Sequence, residues 1–194
     1  YYCFRQRWFT LDSNTEVFSE GIKVMSKSKN NGVDPQYLIE KYGADTARLF
    51  IIFASAPEDT LIWNDDGIEG SYRFLNRIWR FSYEFKNNAN VNSADLKPTE
   101  KMKKYFADLT VILKQINFDY ERLHFNTVAS SAMKIMNLME SKDLQKEENQ
   151  QVYYFHKYSL NILLKILSPI CPHLCFYLWK ELDFGDDIFQ SNWP

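Results

Sequence analysis

Neither sign of charge predominates in this chain: 23 Lys and Arg stand against 25 Asp and Glu, a formal net charge of −2, so no global basic field announces a nucleic-acid partner. Long hydrophobic runs are missing too. No window approaches the ~18 consecutive apolar residues that a membrane span needs, so no membrane partner is expected. Three cysteines among 194 residues cannot build a disulfide framework, which points to a reducing, intracellular compartment. There is no internal repeat and no low-complexity tract. Neither an initiator Met nor a signal-peptide pattern precedes Tyr1, and the chain reads as a segment of a longer polypeptide. What is present is material for a core. Hydrophobic residues make up 45% and aromatics 16%, the composition of a globular protein and not of a disordered tail.

Residues 1–22 alternate aromatic, polar and β-branched side chains (Tyr1, Phe4, Trp8, Phe9, Val17, Phe18) around Asp12-Ser13-Asn14, which predicts a short β hairpin. The cut leaves Trp8, Phe9 and Phe18 as candidates for exposed apolar surface. Helical signals begin at Asp34-Pro35, an N-cap followed by proline at the first helical position, with Gly43 as the stop. Ala44 to Ala54 is a second helix. Asp66 and Glu69 are spaced as a capping box for a third, carrying Ile68, Leu75, Ile78, Trp79 and Phe85. Met102, Tyr105, Phe106, Leu109, Ile112, Leu113 and Ile116 follow the spacing of an amphipathic helix. Asn126 is placed to cap the next, Val152 to Ile166 forms another, and Leu174, Leu178 and Leu182 mark a last short one after Pro169 and Pro172. The fold class expected is mainly α: an antiparallel bundle of four or five helices, preceded by a small subdomain with the hairpin. The Asn-rich stretch 87–98 is its loosest connection.

Between hairpin and helices lies a polar loop. Lys23, Lys27 and Lys29 bring three positive charges with no carboxylate between them, Ser26, Ser28, Asn30 and Asn31 add donors, and Gly32 permits a bend. Such a loop suits an oligophosphate; a solvated basic loop is the bland alternative.

The order of residues favours the phosphate. Val24-Met25-Ser26-Lys27-Ser28 resembles the KMSKS signature of class I aminoacyl-tRNA synthetases. The likeness continues through Lys29-Asn30-Asn31-Gly32-Val33-Asp34-Pro35 and Tyr42-Gly43-Ala44-Asp45-Thr46-Ala47-Arg48-Leu49-Phe50. From Phe53 through Pro57, Trp63, Glu69-Gly70 and Arg73-Phe74-Leu75 to Arg77-Ile78-Trp79 it resembles the leucyl branch. His124-Phe125-Asn126-Thr127 and Pro169-Ile170-Cys171-Pro172-His173 are similar to the helical anticodon-binding-type domain of that subgroup. The resemblance implies residues 1–64 as the end of a catalytic region and 65–194 as the tRNA-binding bundle. It implies ATP, with Mg2+ accompanying it, leucine and tRNA(Leu) as what the full-length enzyme handles. Lys27 is then the catalytic lysine that engages the ATP phosphates, with Met25, Ser26, Ser28 and Lys29 shaping the rest of the ATP loop. The signature's first lysine falls at Val24, with Lys23 displaced by one. The HIGH signature, the nucleotide-fold strands and any editing insertion are absent, so the segment alone is expected not to activate leucine. A monomer in the cytoplasm, or in an organelle matrix, completes the expectation. An isoleucyl, valyl or methionyl relative, or a non-catalytic helical RNA-binding module, stays open beside it.

Arg73, Arg77 and Arg80 are spaced four and three apart, on one helix face. From Ser71 to Lys104 the chain carries eight basic and three acidic residues, a surface suited to RNA phosphates. Ion pairs Glu69–Arg73 and Arg80–Glu84 are the structural alternative. Cys171, His173 and Cys175 invite a zinc reading, but the i+2 residue points away from an i, i+4 cysteine pair and no fourth ligand is near, so no metal site is expected. Met133, Met136 and Met139 read as core, and His124 and His156 have no acid–base partner visible in sequence.

Overall fold

The computed structural model describes residues 8–9, 16–17, 23–29, 31–56, 58–88 and 98–194, with only the backbone of Trp8, Phe9, Glu16, Val17 and Lys27. The chain divides into two compact units, Tyr1–Pro35 and Gln36–Pro194.

In the first unit, β1 (Trp8–Phe9) pairs antiparallel with β2 (Glu16–Val17), Trp8 opposite Val17 and Phe9 opposite Glu16. Two residues a side fall well short of a strand of about five, so the expected hairpin is not supported. The rest of residues 1–22, Phe18 included, lies outside the described residues. A single 3-10 turn, Lys27–Lys29, follows.

Helices make the second unit. α1 (Pro35–Tyr42) opens on its proline as expected and stops at Gly43. Gly43 sits at φ 86°, in the left-handed region where glycine carries no Cβ penalty, and donates its N–H back to the Ile39 carbonyl at 2.9 Å. α2 (Ala44–Ala54) follows at once. α3 (Asp65–Asn87) is capped by Asn64, whose side chain accepts the Asp66 N–H at 2.9 Å, and not by the Asp66–Glu69 box read from sequence. Its Ile68, Phe74, Leu75, Ile78 and Phe85 are buried at three-four spacing. α4 (Glu100–Glu121) is capped by Thr99 through the Met102 N–H at 3.2 Å.

α5 (Phe125–Met139) begins one residue before the predicted cap. Asn126 is therefore inside the helix, and the first free N–H groups are met by the His124 carbonyl, which accepts from Thr127 and Val128 at 3.2 Å each. α6 (Asn149–Leu167) and α7 (Pro172–Glu181), the latter with proline in its first turn, complete the set. α5 packs against α2, α4 and α6, while α7 packs against α3 and α6. The common core holds Leu49, Ile78, Ile135, Met136, Met139, Phe155, Leu163 and Leu178. Met136 and Met139 are fully buried, as read from sequence. No described helix is long and apolar enough to cross a membrane.

Candidate functional site

The basic loop is held by its own side chains. Asn31 Oδ1 accepts the Ser26 N–H at 2.8 Å, and Asn31 Nδ2 donates to the Val24 carbonyl at 3.3 Å. The Ser26 carbonyl accepts the Lys29 N–H at 3.1 Å, closing the turn that carries Lys27 and Ser28, and the Ser26 and Ser28 hydroxyls bond each other at 2.7 Å. Lys23, Val24, Met25, Ser28 and Lys29 are exposed. Val24, in the place of the signature's first lysine, is 86% exposed and buries no apolar surface there. A turn of this kind presents backbone and hydroxyl donors together with ammonium groups, the donor set an oligophosphate requires.

The arginine stripe is divided by the fold. Arg77 turns to α5: its Nε donates to Glu140 Oε2 and its Nη2 to Asn137 Oδ1, both at 2.8 Å. Arg73 and Arg80 stay exposed. Among the described residues neither takes an ionic partner, and the Glu69–Arg73 and Arg80–Glu84 pairs are not formed. Elsewhere in the basic stretch, Lys86 pairs with Glu181, Lys101 with Glu147 and Lys103 with Glu100. Most of the local surplus read from sequence is thus neutralised by acids distant in the chain. Arg73, Arg80 and the exposed Lys104 are what remains for an external anion among the described residues.

Sequence reasoning missed Asp45 and Arg48, which tie α2 to the α6–α7 turn. The nearly buried Asp45 carboxylate accepts the Leu174 N–H at 2.7 Å through Oδ2 and faces His173 Nδ1 at 2.8 Å through Oδ1. It therefore caps α7 from 129 residues away, adding its charge at the positive end of that helix. Arg48 donates to the Ile170 carbonyl at 2.9 Å and the Pro169 carbonyl at 3.1 Å, satisfying orphan acceptors after α6. A His–Asp pair invites an acid–base reading, but both carboxylate oxygens are committed to the start of α7, which makes the pair a joint. It forms one end of an open groove of about 440 Å³ lined by Tyr42, Tyr72, Asn76, Trp79 and Tyr177.

Cys171 and Cys175 are buried, and burial pushes both thiols up, away from the thiolate that a metal or a nucleophilic role would need. His156 donates its Nε2–H to the Met139 carbonyl at 2.9 Å, and burial pulls its pKa down, keeping it neutral.

Two family models match the chain: "tRNA synthetases class I (I, L, M and V)" over residues 13–63 and "Anticodon-binding domain of tRNA ligase" over residues 103–194. The leucine–tRNA ligase of Polaromonas naphthalenivorans (strain CJ2) is 42% identical over 196 aligned residues, 95% of this chain and 22% of the relative. That of Leptothrix cholodnii is 44% identical over 180 residues, 90% of this chain and 20% of the relative. The chain thus spans about a fifth of the length of these curated relatives. In fold it is similar to the Agrobacterium radiobacter K84 agnB2 LeuRS, crystallised as a ternary complex with tRNA and LeuAMS. The TM-score is 0.73 at 24% identity, over 88% of this chain and 22% of that one. With identity of this level running from the loop through the helical unit, the chain belongs to the leucine–tRNA ligases of the class I tRNA synthetases.

Proposed function

We propose that the protein containing this segment activates leucine with ATP and transfers it to tRNA(Leu). Residues 1–64 are in this reading the end of the catalytic region, and residues 65–194 the bundle that touches tRNA. The carrying observation is the 42% identity to leucine–tRNA ligases across 95% of the chain. The class I match, ending at residue 63, supports the boundary.

In activation the leucine carboxylate attacks the α-phosphate of ATP and pyrophosphate leaves. Negative charge grows on the phosphates, and preorganised cations lower its cost. The Lys27 ammonium offsets that charge, Lys29 adds a second cation, and Met25, Ser26 and Ser28 hold the turn. Mg2+ would accompany the nucleotide as its counterion. Among the described residues no cluster of three His, Cys, Asp or Glu side chains is placed to hold it. Arg73 and Arg80 contact tRNA phosphates without reading bases, while Arg77 serves the bundle. The full-length protein acts as a monomer where tRNA is charged, in the cytoplasm or an organelle matrix.

The test is ATP–pyrophosphate exchange by the full-length protein. Lys27→Ala is expected to cost far more than Lys23→Ala. Equal losses would put Lys23 in the place of the missing first lysine, and an undiminished rate for Lys27→Ala would overturn the loop's role. The isolated segment is expected to show no exchange.

A further inference from the structure

We infer that Asn31 is a positioning residue that sets the shape of the ATP loop before nucleotide arrives. The inference rests on the reading of Lys27 as the phosphate-facing lysine. Asn31 uses both ends of its amide on one stretch of backbone, accepting from the Ser26 N–H at 2.8 Å and donating to the Val24 carbonyl at 3.3 Å. Such a side chain replaces a peptide group of a neighbouring strand, with one donor and one acceptor aimed at residues two apart. The 3-10 turn is a single turn, closed by Lys29 N–H to Ser26 C=O at 3.1 Å, and the residues around it are exposed.

The consequence for the turn is geometric. With Val24 and Ser26 both bonded to Asn31, Met25 projects outward between them, 44% exposed. The Ser26 carbonyl remains available for Lys29 N–H, and that bond is what carries residue 27 onto the turn. Neither the Ser26–Ser28 hydroxyl contact at 2.7 Å nor the 3-10 bond fixes where the turn starts relative to Val24. Asn31 reaches back across seven residues and ties the start of the turn to Val24. An alanine at position 31 leaves the chemistry of Lys27 intact but lets residues 23–29 sample many conformations, so nucleotide binding must supply the ordering. That cost falls on ATP binding, not on the bound complex, and so on KM before kcat.

The experiment compares full-length wild type, Asn31→Ala and Lys27→Ala in ATP–pyrophosphate exchange, with limited trypsin cleavage within residues 23–29 as a second readout. Asn31→Ala is expected to raise the KM for ATP about tenfold, the order two exposed hydrogen bonds can supply, with kcat within about threefold of wild type. Its loop is cleaved several-fold faster without ATP and at the wild-type rate with saturating ATP, while the melting temperature is unchanged. Lys27→Ala removes one tryptic site itself, and is expected to lose kcat while keeping the wild-type rate of cleavage after Lys23 and Lys29. An unchanged KM and unchanged cleavage for Asn31→Ala, beside a crippled Lys27→Ala, overturn the brace alone. A fall in kcat for Asn31→Ala without a rise in KM overturns positioning and places Asn31 at the reacting atoms. An unaffected Lys27→Ala sinks the reading of the loop itself.

Discussion

Replacing Asp45 with alanine tests how much one carboxylate contributes to holding α2 against α7. The group is 7% exposed, and its strongest contact is the charge-assisted bond from the Leu174 N–H at 2.7 Å. A hydrogen bond to a charged group contributes about 1.5–3 kcal/mol, and a partly buried charge at a helix N-terminus adds about 0.3–2 kcal/mol. These overlap, because the same oxygen serves both. The His173 contact adds little: that side chain is 76% exposed, and exposed ion pairs contribute ~0–1 kcal/mol. Asp45→Ala should therefore destabilise the chain by about 2–4 kcal/mol, Asp45→Asn by about half as much, and His173→Ala by less than ~1 kcal/mol. Urea unfolding followed by circular dichroism reads all three, and the Asp45→Ala/His173→Ala double variant should match Asp45→Ala alone within that last figure. A loss for His173→Ala as large as that for Asp45→Ala would refute the capping account and make the ion pair the joint.

Two glycines three residues apart should respond with opposite signs. A Cβ on Gly67 would sit 2.7 Å from Phe50 Cε2, whereas one on Gly70 meets nothing within 4 Å in the same helix. Gly70→Ala should raise stability by about 0.5–1 kcal/mol and Gly67→Ala should lower it by about 1 kcal/mol, the clash outweighing the propensity gain; thermal melts of the two decide. His156 should make the bundle acid-sensitive. Its folded pKa lies below the ordinary 6.5 because it is buried, so the unfolded chain takes the proton more readily. The stability it contributes is complete above about pH 6.5 and declines as pH falls toward the folded value. Unfolding free energies from pH 7.5 to 5 should fall more steeply for wild type than for His156→Leu, and parallel curves would contradict this. For tRNA binding by the full-length protein, Arg73→Ala with Arg80→Ala should lower the slope of log K against log salt by about 1.5–2. Arg77→Ala should leave the slope alone and reduce stability by about 0.5–1.5 kcal/mol, since its partners are Glu140 and Asn137.

The helices were legible because the signals that start and stop them are local. Pro35, Gly43 and Pro172 act through their own φ angles and missing or free N–H groups, and the apolar spacing of α3, α4 and α6 follows from 3.6 residues per turn. Caps were read less well. Asn64 and Asp66 are both good capping residues two positions apart, and the choice depended on how the chain enters from Trp63, which packs edge-to-face on Phe50 at 5.0 Å. Asn126 has the right side chain for a cap, but the helix starts earlier because Leu123, at φ 60°, has already turned the backbone.

By itself the sequence determined the order and type of the helices, the loop that resembles KMSKS and the kinship with leucine–tRNA ligases, since all three are carried by residues adjacent in the chain. Tertiary structure alone decided which charges are spent. Arg77 and Glu140 are 63 residues apart, Lys86 and Glu181 95, and Asp45 and Leu174 129. Groups so far apart meet only once the helices pack. An arginine's availability to RNA depends on what the folded neighbours already take from it, and no spacing rule along one helix contains that information.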